Sequence, residues 1–102
     1  MKDLIRQLHK AFDNRTRLGI MSVLLVNEWT DYLTLRKTLD ETDGNLASHL
    51  ANLERNAFIE IKKEFVGKKP RTTYRVSDLG RKAFYEHLDI LEAILKQPRT
   101  DT

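Results

Sequence analysis

At Ala57 the hydrophobic period of the chain changes. Upstream, apolar residues recur at helical intervals. Downstream, Ile59, Ile61 and Phe65 alternate with Glu60, Lys62 and Glu64, and Tyr74 and Val76 alternate with Thr73, Arg75 and Ser77. Two alternating runs joined by Gly67-Lys68-Lys69-Pro70-Arg71 specify a β-hairpin with a cationic tip. A lone hairpin is marginal in water and must lay its apolar face on other elements. Here the other elements read as helices, so the expected fold is α+β, mostly α. Pro70 has no N–H to give a ladder and is expected in the tip, outside any paired strand.

Residues 3–12 carry Leu4, Ile5, Leu8 and Phe12 at helical spacing and predict a first helix. Asp13 and Asn14 offer an N-cap to a second, whose apolar stripe is Leu18, Met21, Leu24 and Leu25. The polar segment 27–31 reads as a turn, with Trp29 a lid on the core or part of a subunit contact. A short helix over residues 34–41 buries Leu35 and Leu39. The turn Thr42-Asp43-Gly44-Asn45 then leads into a helix that ends near Asn56, with Leu46, Leu50 and Leu53 inside. Two short helices across a glycine-containing turn make a helix-turn-helix pattern, which many small helical folds share.

Ser77 caps a last helix over residues 78–96, with Asp78 complementing the dipole in its first turn. Phe84, Leu88, Leu91 and Leu95 form one apolar seam on it, and Ala83, Ile90 and Ile94 an adjoining one. One face serves its own domain; the other is free for a partner or widens the first. The expected organisation is a single domain over residues 1–97, with a disordered tail at 98–102. Within it the helix-turn-helix covers residues 34–56, the hairpin 58–77 and the last helix 78–96.

A chain of 102 residues can bury one core. It contains no cysteine, which excludes disulfides, thiolate metal sites and cysteine nucleophiles. His9, His49 and His87 lie far apart with no ligand-like spacing, so neither a metal nor a cofactor is expected. Ser48 and His49 are neighbours on a helix, about 100° apart, and cannot pair as nucleophile and base. With no glycine-rich phosphate loop either, the chain is not expected to be an enzyme. Charges interrupt every apolar run of Met1-Lys2-Asp3-Leu4-Ile5-Arg6, so the expectation is a cytoplasmic protein without a membrane partner.

Charge is distributed unevenly. Lys62 to Lys82 holds eight of the 18 Lys/Arg residues but only two of the 15 acids, Glu64 and Asp78. A basic element on a slightly acidic body is the arrangement of a polyanion binder.

The stretch DGNLASHLANLERNAFIEIKKEFVGKKPRTTYRVSDLGRKAF resembles the core of winged-helix bacterial transcriptional regulators of the MarR and ArsR kind, in particular the compact group with little beyond a DNA-binding domain. The resemblance lies in Leu46-x-x-His49-Leu50-x-x-Leu53-Glu54, the strand from Ile59 to Phe65, the segment Gly67 to Thr72, and Ser77-Asp78-Leu79-Gly80-Arg81. NRTRLGIMSVLL extends it over the second helix. It implies a winged helix-turn-helix: a three-helix core plus a hairpin wing, with N- and C-terminal dimerisation helices. That family usually has glycine where Ala57 stands, and Asn56, which tolerates a left-handed backbone, is expected to take over the turn. ArsR-type metal sensing is not implied, because its ligands are missing.

With Leu46 at the centre of the buried face, Asn45, Ser48, Asn52 and Arg55 turn outward and His49 lies on the flank. Within the resemblance these five would meet bases or phosphates in the major groove, although His49 equally suits a structural bond to the second helix. Lys68, Lys69 and Arg71 would reach phosphates or the minor groove, joined by Arg36 and Thr73, with Arg15 and Arg17 as further candidates. Leu4, Leu8, Phe84, Leu88, Leu91 and Leu95 are the dimerisation candidates. The resulting expectation is a homodimeric regulator from a bacterium or archaeon that binds double-stranded DNA sequence-specifically. The residues leave two other functions open: a winged-helix protein-interaction module and a non-specific architectural DNA binder.

Overall fold

Helices α1 (Lys2–Gln7), α2 (Arg15–Val26), α3 (Tyr32–Leu39), α4 (Asp43–Arg55) and α5 (Asp78–Leu95) surround a sheet of strands β1 (Thr30–Asp31), β2 (Ile59–Val66) and β3 (Lys69–Val76) in a computed structural model that describes residues 1–99. The expected fold is present. Residues 98–99 lack regular structure, and the remainder of the expected tail, residues 100–102, lies outside the described residues.

The first helix is shorter than its periodicity suggests. Leu8 turns extended, and His9 Nδ1 accepts the N–H of Ala11 at 3.0 Å, which starts a separate 3-10 turn over Lys10–Phe12. That break drives Phe12 into the core, where it stacks on Phe58 and meets Phe84 and His87 edge-on. Asn14 then caps α2 through the N–H of Arg17. Ile20, Met21 and Leu24 of α2, Leu35 of α3, and Leu46 and Leu53 of α4 complete the most deeply buried set.

The turn between α3 and α4 is made differently from its sequence expectation. Asp40, at φ 52°, supplies the left-handed residue, whereas Asp43, Gly44 and Asn45 already belong to α4, capped by Thr42. Both short helices thus have side-chain N-caps, Asp31 for α3 and Thr42 for α4.

Ala57, not Asn56, takes the left-handed turn out of α4: its φ is 60°, while Asn56 stays helical. Asn56 instead donates its side-chain amide to the carbonyl of Asn52 at 2.9 Å, closing the helix end. The next residues are fixed by the start of α5. The Phe58 carbonyl accepts the N–H of Ser77, and Ser77 Oγ donates to the Ala57 carbonyl at 2.7 Å while capping Gly80. A Cβ on Gly80 would lie 2.0 Å from the Phe58 oxygen, so only glycine permits this crossing.

The sheet order is β1-β3-β2, all antiparallel. Its two-residue strand β1 pairs Thr30 with Tyr74 and Asp31 with Thr73, in a segment that reads from sequence as a plain turn. The hairpin is tighter than expected. Val66 pairs with Lys69 across Gly67 and Lys68, and positive φ at Gly67 alone fits a type II′ turn. Pro70 therefore sits inside the ladder opposite Phe65, contrary to its expected place in the tip. It is tolerated there because the pair next to a two-residue loop exchanges both bonds, leaving Phe65–Pro70 a non-bonded pair. The missing N–H faces away from β2, beyond the reach of the short β1.

Only the root of the hairpin joins the core. Ile59, Tyr74 and Val76 are buried, whereas Phe65 is 74% exposed near the tip. The wing and the distal half of α5 project from the core, and the molecule as a whole extends 64 × 26 × 22 Å. The radius of gyration, 16.1 Å, exceeds the roughly 13 Å of a spherical domain of this length.

Candidate nucleic-acid interface

Helix α4 and the wing are held in one frame by side chains of α3 and of its N-cap, Asp31. Tyr32 Oη donates to the Asp43 carbonyl at 3.0 Å, and Arg36 Nε lies 3.3 Å from the Asp43 carboxylate, so the start of α3 braces the start of α4. At the same end Asp31 accepts the N–H of Thr34 at 2.7 Å and stands 3.8 Å from the Arg71 guanidinium on β3. The hydrogen bonds from Thr34, aided by the charges of Arg71 and Lys37, hold the Asp31 carboxyl below its ordinary range. The wing, at Arg71, and the first turn of α4 are thereby tied to α3 and its N-cap. Between α3 and the wing lies an open cleft of about 420 Å³ lined by Tyr32, Leu33, Val66, Pro70 and Arg71.

The outward face of α4 has the composition expected. Asn45, Ser48 and Arg55 are exposed; His49 and Asn52 are half-buried. Lys68 and Lys69 stand free at the wing tip, and Arg71 is partly engaged by Asp31. Two candidates are displaced. Thr73 is 2% exposed with its hydroxyl sealed between β1 and β2, beyond the reach of a phosphate. Its place in the inner pairs of the sheet depends on β1, the strand hidden in the polar segment. Arg36 is half-buried in its pairing with Asp43, so it braces α4 from behind.

His49 makes the structural bond that its flank position allows. Arg17 on α2 donates to its Nδ1 at 2.9 Å and to the Ala11 carbonyl at 2.6 Å. Burial, reinforced by the charge of Arg17 and opposed by Glu41, lowers the pKa of His49, so the ring is neutral at pH 7. Arg17, a possible phosphate contact by sequence, is thus turned inward to lock α2 against α4.

Glu41 forms a second lock. One carboxylate oxygen accepts the Thr16 hydroxyl of α2 at 2.7 Å, and the other accepts the side-chain amide of Asn45 at 2.6 Å. These bonds, from Asn45 first and Thr16 next, lower its pKa. Glu41 was missed in the sequence, although Glu41 and Asn45 stand at the i, i+4 spacing of a helical pair. The Arg17–His49 bond spans 32 residues and has no local signature.

Trp29 is a lid on the outer face of the sheet. Lys62 Nζ and Arg75 Cζ lie 4.5 and 4.6 Å from its ring, so it is a cation–π plate that covers the wing root. Among the described residues no group of His, Asp and Glu could hold a metal, and no helix is long and apolar enough to cross a membrane.

A three-helix core, a hairpin wing and a polar helix face aligned with that wing define the class of winged-helix DNA-binding regulators, which are not enzymes. The chain belongs to the winged helix DNA-binding domain family, whose match covers residues 16–95. It is 33% identical to an uncharacterized protein of Methanocaldococcus jannaschii over 79 residues, 78% of this chain and 86% of the relative. Among solved structures, the transcriptional regulator homologue protein from Pyrococcus horikoshii OT3 superposes with a TM-score of 0.82 at 33% identity, covering 93% of this chain and 95% of that one. AbfR of Staphylococcus epidermidis shares the fold alone, with a TM-score of 0.72 at 12% identity over 98% of this chain and 70% of its own.

Proposed function

We propose that the chain is a homodimeric, sequence-specific regulator of transcription that lays α4 in the major groove of double-stranded DNA and the wing on the adjacent backbone or minor groove. The observation that carries this reading is the joint bracing of α4 and the wing by α3 and its N-cap Asp31, with short polar side chains on one and free cations on the other. Asn45, Ser48, His49, Asn52 and Arg55 would meet base edges or phosphates, and Lys68, Lys69 and Arg71 the backbone. The dimer would form through α5, whose outer residues Leu88, Leu91 and Leu95 are exposed, together with α1. Its two α4 helices would then enter successive major grooves, about 34 Å apart.

The test is fluorescence anisotropy of a mixed-sequence duplex at several salt concentrations, with wild type beside Lys68→Ala/Lys69→Ala/Arg71→Ala. About three phosphate contacts per protomer predict a slope of log K against log salt near −5 for the wild type, shallower for the variant. Absence of binding at low salt would replace this reading with a protein-interaction module. The exposed Leu33, Phe65 and Val66 would then be its contact residues.

A further inference from the structure

Two side chains on the outward edge of α4 are committed, before any DNA arrives, to one hydrogen-bonding direction. Asn45 carries both a donor and an acceptor and could present either to a base. Its neighbour Glu41 removes that freedom, because an ionised carboxylate only accepts. The Asn45 NH₂ must therefore face Glu41 Oε2, 2.6 Å away, and the amide oxygen is turned away from Glu41. Glu41 cannot rotate away without losing the Thr16 hydroxyl on its other oxygen, at 2.7 Å. His49 is constrained in the opposite sense. Arg17 has only donors, so His49 Nδ1 must accept, and the neutral ring carries its proton on Nε2.

The geometry points to Glu41 and Arg17 as positioning residues that write a fixed acceptor–donor code on the recognition helix: Asn45 offers an oxygen, and His49, one turn later, offers an N–H. This inference rests on the DNA-binding reading above and deepens it. In the major groove an oxygen acceptor selects an exocyclic amine, adenine N6 or cytosine N4. An N–H donor selects N7 or O6 of guanine, N7 of adenine, or O4 of thymine. Residues four apart on a helix lie about 6 Å from each other, so the two would read neighbouring base pairs. Glu41 itself repels phosphate, so its place at this surface contributes orientation and not affinity.

Glu41→Gln removes the acceptor-only charge that commits one letter of this code without removing the side chain. Because the Thr16 hydroxyl can either donate or accept, the glutamine amide fits Thr16 and Asn45 in both of its orientations, and the Asn45 amide is released to present oxygen or NH₂ outward. The experiment is selection from a pool of randomised duplexes, followed by sequencing, with wild type, Asn45→Ala and Glu41→Gln, each checked for folding by circular dichroism. Wild type is expected to enrich a motif in which one base pair loses its preference in Asn45→Ala. In Glu41→Gln the preference at that same pair should weaken, by about tenfold in relative affinity, with the other positions kept. An unchanged motif in Glu41→Gln overturns the positioning role while leaving DNA binding intact. Enrichment of no motif by wild type overturns sequence-specific binding itself. Nitrogen NMR of the free protein supplies an arm that needs no DNA. The His49 ring is expected neutral with its proton on Nε2 at pH 7, and a proton on Nδ1 overturns the His49 half of the code.

Discussion

Ala57 and Gly80 hold the same corner of the fold, where α4 passes into β2 and the chain crosses the start of α5. Ala57 accepts a left-handed backbone that disfavours any Cβ by about 1–2 kcal/mol. Ala57→Gly removes that strain and regains flexibility in the unfolded chain, so urea unfolding should show a net gain of roughly 0.5 kcal/mol. Gly80→Ala acts oppositely: its methyl would collide with the Phe58 carbonyl, a backbone atom that cannot move without losing the Ser77 bond. The same measurement should show a loss of about 3 kcal/mol or more.

The histidines give stability a pH dependence. Burial lowers the pKa of His87, which accepts the His9 N–H beside Phe12, and that of His49. Asp13 opposes the shift at His87 and Glu41 opposes that at His49, and neither reverses it. A folded-state pKa below the unfolded value, about 6.5, means that the unfolded chain takes up protons first as pH falls. The stabilisation is complete above that value and is lost as pH falls through the folded-state values. The urea midpoint should therefore be lower at pH 5 than at pH 7.5, and imidazole proton NMR should titrate both rings below 6.5.

At the scale of elements, the wing depends on a segment that looks like a loop. Thr30 and Asp31 form the strand that seals Thr73, Asp31 caps α3 and meets Arg71, and Trp29 lies against Lys62 and Arg75. Each cation–π contact at a half-exposed site is worth about 0.5–1 kcal/mol. Trp29→Leu should therefore lower stability by about 1–2 kcal/mol in urea. Because Trp29 is the only tryptophan, its fluorescence reports the wing root directly. Lys62→Ala should shift its emission to longer wavelength as water gains access to the ring.

Over the whole molecule, α5 divides into a half that belongs to its own core and a half that does not. Phe84 and His87 are buried, and Phe84 meets Phe12 edge-on at 5.1 Å, so Phe84 is closed to a partner. Leu88 and Leu91 are about 40% exposed and Leu95 85%. Helix α1 packs on α5, with Leu4 and Leu8 half-buried. Sedimentation velocity should show a species of twice the 12.0 kDa chain mass, and Leu91→Glu/Leu95→Glu should return it to the monomer with the helical circular dichroism unchanged. Phe84→Ala should instead lower stability by about 3–5 kcal/mol.

The sequence by itself determined the main helices, the hairpin and their order, though not the two-residue strand β1 or the early end of α1. Burial of an apolar stripe is a local, periodic property, so Leu46, Leu50 and Leu53 mark the inner face of α4, and Ile59, Ile61, Tyr74 and Val76 mark the root of the hairpin. The caps Asn14, Thr42 and Ser77 are equally local, since each side chain bonds an N–H three residues ahead. The exposed positions of α4 followed from its buried ones by rotation alone. Tertiary structure decided which polar groups are free. Thr73 reads as a wing residue until a two-residue strand covers it; Arg17 reads as a surface cation until His49 arrives from 32 residues away. Pro70 reads as a tip until the hairpin register shows that its missing N–H faces no partner. Periodicity records how much water a position sees, whereas the partner of a hydrogen bond is set by where distant segments meet. No local pattern carries that.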